Sequence, residues 1–377
     1  MPLLQLNDLH IAFKNDSQIT QAVHGVSFSV DTGEIVALVG ESGSGKSITA
    51  MSIAKLLPSH STIYPKGSIH FQVSDTKNVD LLQCDLHTMS ELRGKHISYI
   101  FQEPMSSLNP LMSCGMQVAE ALIRHESMSK DQALNAALEL FKEVKLPQPE
   151  QMLHRYPHEL SGGQKQRVMI AIAISCKPQL LIADEPTTAL DVSIQSVIIE
   201  LLQELQQKRN IAILFITHDL SLVKRFAHKV VVMHKGHVVE LQTTESLFAS
   251  PQHPYTKGLL SCRVPQHIRV KKLLTIEDIM QADSSHASED LQVTSQEFQS
   301  RLSKFQQQQA LLQVQDLHVY YPTQKNLWGV ATQYFQAVKD VSFNLYQGAT
   351  LGLLGESGCG KTTIGKTIVG LNQITQG

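Results

Sequence analysis

Apolar positions along the chain fall into two kinds of run. Uninterrupted runs occupy GEIVALVG (33–40), QLLIAD (179–184) and IAILFIT (211–217), each bounded by polar or turn residues. Such runs predict strands buried on both faces of a parallel sheet. Other stretches repeat apolar residues at helical spacing: SITAMSIAKLL (47–57) after the first run, and VSIQSVIIELLQELQQK (192–208) between the second and third. Residues 104–160 also predict helix. Ser129 and Gln132 form a capping-box pair, after which Ala133, Ala137, Leu140, Phe141 and Val144 keep one face apolar. Strands alternating with helices predict an α/β domain with a helical insertion.

One pattern occurs twice. GESGSGKS (40–47) returns as GESGCGKT (355–362), an offset of 315. Ala22-Val23 returns as Ala337-Val338, Val26-Ser27-Phe28 as Val341-Ser342-Phe343, and Gly33 as Gly348, at the same offset. Asp8-Leu9-His10 returns as Asp316-Leu317-His318 at an offset of 308, so seven extra residues fall around KNLWGVATQ (325–333). The chain therefore carries two copies of one unit. Residues 1–265 are expected to form the first domain, 310–377 an incomplete second, and the Gln-, Ser- and His-rich stretch 266–309 a linker with short helical pieces. Residues from 310 onward are too few to bury a domain core, which predicts poor packing there and a fragment of a longer chain.

Composition narrows the class. With 377 residues and 42% hydrophobic content the chain can build two or three cores, which excludes wholesale disorder. A formal charge of -2 offers no basic field for nucleic acid. The five cysteines (84, 114, 176, 262, 359) are odd in number and scattered, which argues against a secreted disulfide framework. MPLLQLNDLH lacks a signal-peptide pattern, and no window approaches the ~18–20 apolar residues that cross a bilayer. Any membrane role would then run through a partner.

The chemistry concentrates in a few strings. GESGSGKS fits G-x-x-x-x-G-K-[ST] between a predicted strand and a predicted helix. Its glycines (Gly40, Gly43, Gly45) let backbone N–H groups, together with Ser42 and Ser44, turn inward on phosphates. Lys46 then reaches the β- and γ-phosphates, and Ser47 ligates Mg2+. QLLIADEP drives a strand inward and delivers Asp184 and Glu185 at its end, the first to hold Mg2+ through water and the second to act as general base. LSGGQKQR (160–167) opens a helix at Ser161 with Gly162 and Gly163 leaving the N-terminus bare, a second anion site. One phosphate cradle already exists, so this second site makes sense if it serves another domain's nucleotide.

With GESGSGKS, Gln102 in FQEP, LSGGQKQR, LLIADEP, Ala189-Leu190-Asp191 and His218 in ITHD in that order, the chain resembles the ATP-binding subunits of ABC transporters over residues 3–265 and again from 310. The resemblance implies a P-loop nucleotide-binding domain with a mostly parallel sheet, an antiparallel β subdomain and a helical subdomain (104–160). It also implies ATP and Mg2+ as ligands, and two domains closing head-to-tail with each ATP between one phosphate loop and its partner's Ser161–Gln164 string. By the same resemblance Gln102 contacts Mg2+ or the attacking water and His218 bonds the γ-phosphate. Asp191 joins the domain interface and caps the next helix, and Phe13 stacks on adenine. In the second copy Tyr321 (or Tyr320) would take Phe13's role, while Gly355, Gly358, Gly360, Lys361, Thr362 and Thr363 form the loop, with Thr362 on the metal.

IFQEPMSSLNPLM and SPQHPYTKGLLSCRVP resemble strings of oligopeptide and dipeptide importers, and the layout resembles their tandem, fused members. That resemblance implies two membrane permease subunits, a periplasmic solute-binding protein and a place on the cytoplasmic face of a bacterial inner membrane. The rival class is the soluble tandem ABC ATPase acting on ribosomes or nucleic acid. It would carry a strongly basic or long helical linker, whereas the charges of 266–309 nearly cancel. His154 and His158 are split by Pro157, which breaks the helix a metal pair would need, and Cys262 makes no iron–sulfur site. Cys359 lies inside the second phosphate loop, as a space-filler or as a point where oxidation blocks nucleotide. That copy contributes Lys361 and Thr362 but no second Gln102, Ser161, Asp184–Glu185 or His218 counterpart, so no composite site is complete within one chain.

Overall fold

The computed structural model describes residues 2–15, 18–103, 107–188, 190–262, 269–273, 275–281, 292–325, 331–356 and 358–377. The chain divides into two compact units, Met1–Arg263 with Leu274–Ser285, and Val264–Leu273 with His286–Gly377.

In the first unit, β3 (Ile35–Val39), β7 (Ile97–Ile100), β8 (Leu180–Asp184), β9 (Ala212–Thr217) and β10 (Lys229–His234) run parallel, and β11 (His237–Thr243) closes one edge antiparallel. The order is β11-β10-β3-β9-β8-β7. Every residue of β3, β8 and β9 is buried, as their unbroken apolar runs require. Alternate residues feed different cores. Leu180, Ile182, Leu214 and Ile216 face one cluster, while Leu181, Ala183, Ile213 and Phe215 face the other.

The first of those clusters is capped by an antiparallel sheet of β1 (Leu4–Asn15), β2 (Gln18–Val30), β4 (Thr62–Ile63), β5 (Ser68–Ser74) and β6 (Lys77–Asp80), together with helix α1 (Lys46–Ile53). The second cluster takes the helical insertion, built from α2 (Cys114–Glu126) and α3 (Lys130–Glu143), then α4 (Gly162–Ile174) and α5 (Val192–Arg209). Ser129 and Gln132 close a reciprocal capping box, and Ala133, Ala137, Leu140, Phe141 and Val144 are all buried on the expected face. After β11, helix α6 (Pro254–Ser261) returns onto the sheet, and the helix Ile276–Gln281 packs against it where Gly258 lies beside Ile276. Residues 275–281 of the expected linker thus belong to the first unit. Among the described residues no helix is long and apolar enough to cross a membrane.

The second unit repeats the first hairpin pair for pair. In β1–β2 the partners are Leu4↔Val30, Leu9↔Val26, Ile11↔Val23 and Phe13↔Thr20. In β12 (Ala310–Lys325) and β13 (Ala331–Tyr346) the same positions pair as Leu312↔Leu345, Leu317↔Val341, Val319↔Val338 and Tyr321↔Phe335. Asp8 and Asp316 both take a left-handed φ, of 46° and 47°. Both also donate a backbone N–H to a serine hydroxyl, of Ser27 and Ser342. The seven extra residues lengthen the hairpin tip, whose centre lies outside the described residues. Helix α7 (Lys361–Ile368) follows the second loop. Leu351, Leu353 and Leu354 stand where Val36, Leu38 and Val39 are fully buried in β3, but they are 49%, 43% and 91% exposed and form no strand. That is the poor packing the short segment predicts.

Phe141 is fully buried between the insertion and the sheet. Phe141→Ala should cost the first unit about 3–5 kcal/mol in chemical denaturation, through lost transfer energy and a cavity.

Candidate functional site

The carboxyl ends of β3, β7, β8 and β9 lie at one edge of the parallel sheet, where open α/β sheets bind ligands. Each end carries one part of the predicted constellation: the 40–47 loop after β3, Gln102 after β7, Asp184 and Glu185 at β8, His218 after β9. Glu41, Ser42, Gln102, Glu185 and His218, with Leu259 of α6, line a cavity of about 650 Å³.

The loop is built by glycine. Gly40, Gly43 and Gly45 have φ of 153°, 80° and 98°, values L side chains rarely adopt. At Gly40 a Cβ would also meet the Met233 carbonyl oxygen at 2.1 Å. Lys46 is buried and its ammonium donates to the carbonyls of Gly40 (2.9 Å) and Glu41 (2.8 Å) and to Ser44 Oγ (3.5 Å). Burial pulls this amine below its ordinary range, against the opposing pull of Glu185, Asp184 and Glu41.

Asp184 is 2% exposed. Its two oxygens accept from Ser47 Oγ (3.0 Å) and from the Tyr99 hydroxyl (2.7 Å). Burial raises its carboxyl above the usual range despite those hydrogen bonds, and burial beside Asp184 likewise raises the Tyr99 phenol. Glu185 follows with φ of 46°, a left-handed backbone that costs of order 1–3 kcal/mol in a non-glycine residue. Its N–H bonds to Ile216 O (3.0 Å), and its carboxylate gathers Gln102 Nε2 (3.1 Å), Thr188 Oγ1 (2.8 Å) and His218 Nδ1 (3.3 Å). The turn swings the Glu185 side chain away from Asp184 and into the cavity, which separates the two acids.

Other predicted residues of the first unit are not among those that line this cavity. Ser161 caps α4, and with Gln164 it closes a capping box. Gly162 is exposed, but Gly163 is buried, with a Cβ there reaching Ile194 Cγ2 at 2.9 Å. The second glycine therefore lets α5 approach rather than baring the helix end. Asp191 occupies the N-cap position of α5 but its side chain makes no cap hydrogen bond, which corrects the expected capping role. Phe13 is half-buried on β1 against the sheet core, and Tyr321 is 39% exposed on β12. Ala189 lies outside the described residues. In the second loop Gly355, Gly358 and Gly360 have φ of 155°, 80° and 99°, and Lys361 donates to Gly355 O (2.8 Å) and Glu356 O (2.6 Å). Thr362 and Thr363 lie in the first turn of α7. Cys359 is exposed, with Sγ 3.6 Å from Lys361 Nζ.

Sequence reading missed Tyr99 and Thr188. Tyr99 is the central residue of HISYIFQ (96–102), where strand alternation could have aimed it at the neighbouring acid. Thr188 stands three residues past Glu185, a spacing that lets a turn fold it back.

A strand, a glycine-built loop around a buried lysine and a second parallel strand, one place removed in the sheet, ending in a buried acid define a phosphate-loop nucleotide-binding fold. Residues 23–188 and 338–377 match the family model described as ABC transporter, and the chain belongs to that family. It is 40% identical to the glutathione import ATP-binding protein GsiA of Pectobacterium atrosepticum over all of this chain and 59% of that protein. It is also 40% identical to GsiA of Escherichia coli K12, over 98% of this chain and 58% of that one. The chain thus spans under two thirds of the length of these relatives. Among solved structures, the dimeric ATP-binding cassette MJ0796 bound to ADP and Pi is 28% identical with a TM-score of 0.56, over 64% of this chain and 98% of that one. CbiO1 of Clostridium perfringens, part of an ABC transporter complex, gives the same identity and score over 66% and 91%.

Gly40→Ala forces a left-handed-side φ on a residue with a Cβ and drives that Cβ into Met233 O. Loss of nucleotide binding by at least about tenfold is expected in titration with a fluorescent nucleotide, since the loop must shift.

Proposed function

We propose that the chain is the ATP-binding and ATP-hydrolysing part of a bacterial ABC importer for peptides or peptide-like solutes. The observation that carries this reading is the convergence on one cavity of the loop residues Glu41 and Ser42, a left-handed glutamate and the Gln102 and His218 side chains that hold that glutamate, with the loop itself wrapped around a buried lysine. In this reading the 40–47 loop and Lys46 bind the β- and γ-phosphates. Glu185 takes a proton from the attacking water, Gln102 orients that water, and His218 bonds the γ-phosphate. Phe13 and Tyr321 stack on adenine.

The donor set suits Mg2+. Ser47 Oγ and Asp184 Oδ1 are 3.0 Å apart, a hydroxyl and a carboxylate oxygen of the hard kind that Mg2+ takes directly or through water. Bound there, Mg2+ would neutralise phosphate charge, with Ser47, Asp184 and Gln102 as the residues that hold it, and Thr362 its counterpart in the second copy. Asp184, whose carboxyl burial raises above its usual range, gains most from such a cation.

The Ser161–Gln164 helix start is not part of this cavity, so it would serve the nucleotide of a second cassette, in cis in a longer chain or in trans. ATP-driven head-to-tail closure of two cassettes, with Asp191 at their interface, would then move two permease subunits fed by a periplasmic solute-binding protein. The glutathione importers named above support a small, peptide-like solute and a peripheral place at the inner membrane.

Glu185→Gln keeps the shape of the side chain but removes the base. ATP turnover should fall about 10²-fold or more, with ATP affinity held within about threefold. Wild-type activity should rise faster than linearly with protein concentration where cassettes pair in trans, and strict proportionality from a monomer would contradict the paired-cassette reading.

A further inference from the structure

The peptide bond between Gly40 and Glu41 is held at both of its ends. Its carbonyl accepts from Lys46 Nζ at 2.9 Å, and its N–H donates to the hydroxyl of Tyr255 at 2.9 Å. In a trans peptide these two groups point opposite ways, so the two bonds together fix the rotation of the plane that opens the phosphate loop.

Tyr255 arrives from α6, more than two hundred residues away in sequence, and its own placement is over-determined. Glu240 of β11, 7% exposed, accepts the backbone N–H groups of Gln252 (2.8 Å) and His253 (3.0 Å), pinning the start of that helix. His253 Nδ1 then accepts the Tyr255 N–H at 3.1 Å, and Pro254 sits at the first turn. The Tyr255 ring is fully buried, with its centroid 4.0 Å from that of His234. One turn further on, Leu259 lines the nucleotide cavity. All of this lies beyond residues 23–188, the part of the first unit that the family model matches.

We propose that Tyr255 is a positioning residue for the phosphate loop, through which the segment Gln252–Ser261 sets the affinity for nucleotides that carry a β-phosphate. The proposal rests on reading the 40–47 loop as a nucleotide site. A free N–H at Glu41 would let the peptide rotate and carry the Gly40 carbonyl off Lys46, so the lysine would meet the β-phosphate from an unready loop. A nucleotide without a β-phosphate offers nothing to the lysine that this peptide aligns and would feel the change least.

Tyr255→Phe in the full chain removes the hydroxyl and leaves the ring in place. ADP affinity, read by competition with a fluorescent nucleotide, should weaken about three- to tenfold while AMP affinity changes less than about twofold, one hydrogen bond's worth of loop order. Amide exchange in the peptide covering residues 38–47 should speed up in the nucleotide-free variant. An unchanged ADP-to-AMP ratio overturns the proposal whatever the exchange does, and so does an equal loss of both nucleotides. Should the variant fold poorly, the wild-type protein decides: an unprotected Glu41 amide without nucleotide refutes the bond. Lys46→Ala separates the two readings. If it binds ADP as well as wild type, the nucleotide site itself is wrong and the proposal falls with it. If it loses ADP while Tyr255→Phe keeps the wild-type ratio, only the role of Tyr255 fails.

Discussion

Charge held at the edge of an apolar sheet is the constraint around which the first unit is arranged. Lys46 and Asp184 are both nearly sealed from solvent, and neither ionic form survives burial without close partners. The lysine finds two carbonyls that point inward only because Gly40 and Gly45 adopt conformations closed to other residues. The aspartate finds two hydroxyls, one on the loop helix and one on β7. Three adjacent strands must therefore end at one level, and the fully buried runs of β3, β8 and β9 bring them there. Each charge is thus held by groups that the sheet edge brings to it.

Glu185 shows the same economy in its backbone. A left-handed residue directly after a buried strand is unfavourable, yet it lets the second of two neighbouring carboxylates find partners of its own. Its three side-chain partners come from three different segments, so the conformation holds only while β7, β8 and β9 keep their register. The strain is local and its support is tertiary.

Much of this was legible in the chain. Unbroken apolar runs identified three of the five parallel strands, the Ser129–Gln132 pair marked a helix start, and the 315-residue offset announced a repeat whose strand pairing follows that of the first hairpin. What could not be read were contacts between distant segments. Gly163 looked like an opened helix end until Ile194 was seen against it, and Asp191 looked like a cap until its side chain was seen not to act as one. Tyr99 and Tyr255 were hidden because their roles depend on which segment lies beside which, and no spacing within one segment carries that. The linker boundary failed for a related reason. Residues 275–281 are polar enough to pass for a tether, yet Ile276 fits against the one α6 position without a side chain.

The two phosphate loops separate what is local from what is not. Their glycine φ values agree within 2°, and each lysine reaches the same two carbonyls. That agreement holds even though the first loop follows a buried strand and the second follows Leu351–Leu354, which are exposed and unpaired. The cradle is therefore encoded by a handful of residues: glycines that permit the turn, and a lysine that gathers the carbonyls once the turn is made. Among the described residues, Lys361 bonds the loop carbonyls at an exposed position, whereas Lys46 does so under cover of the sheet. A loop of this kind can recognise the shape of a phosphate by itself. The strength and chemistry of the site come from the strands that hold it, which is why the motif travels between proteins while the function depends on the fold around it.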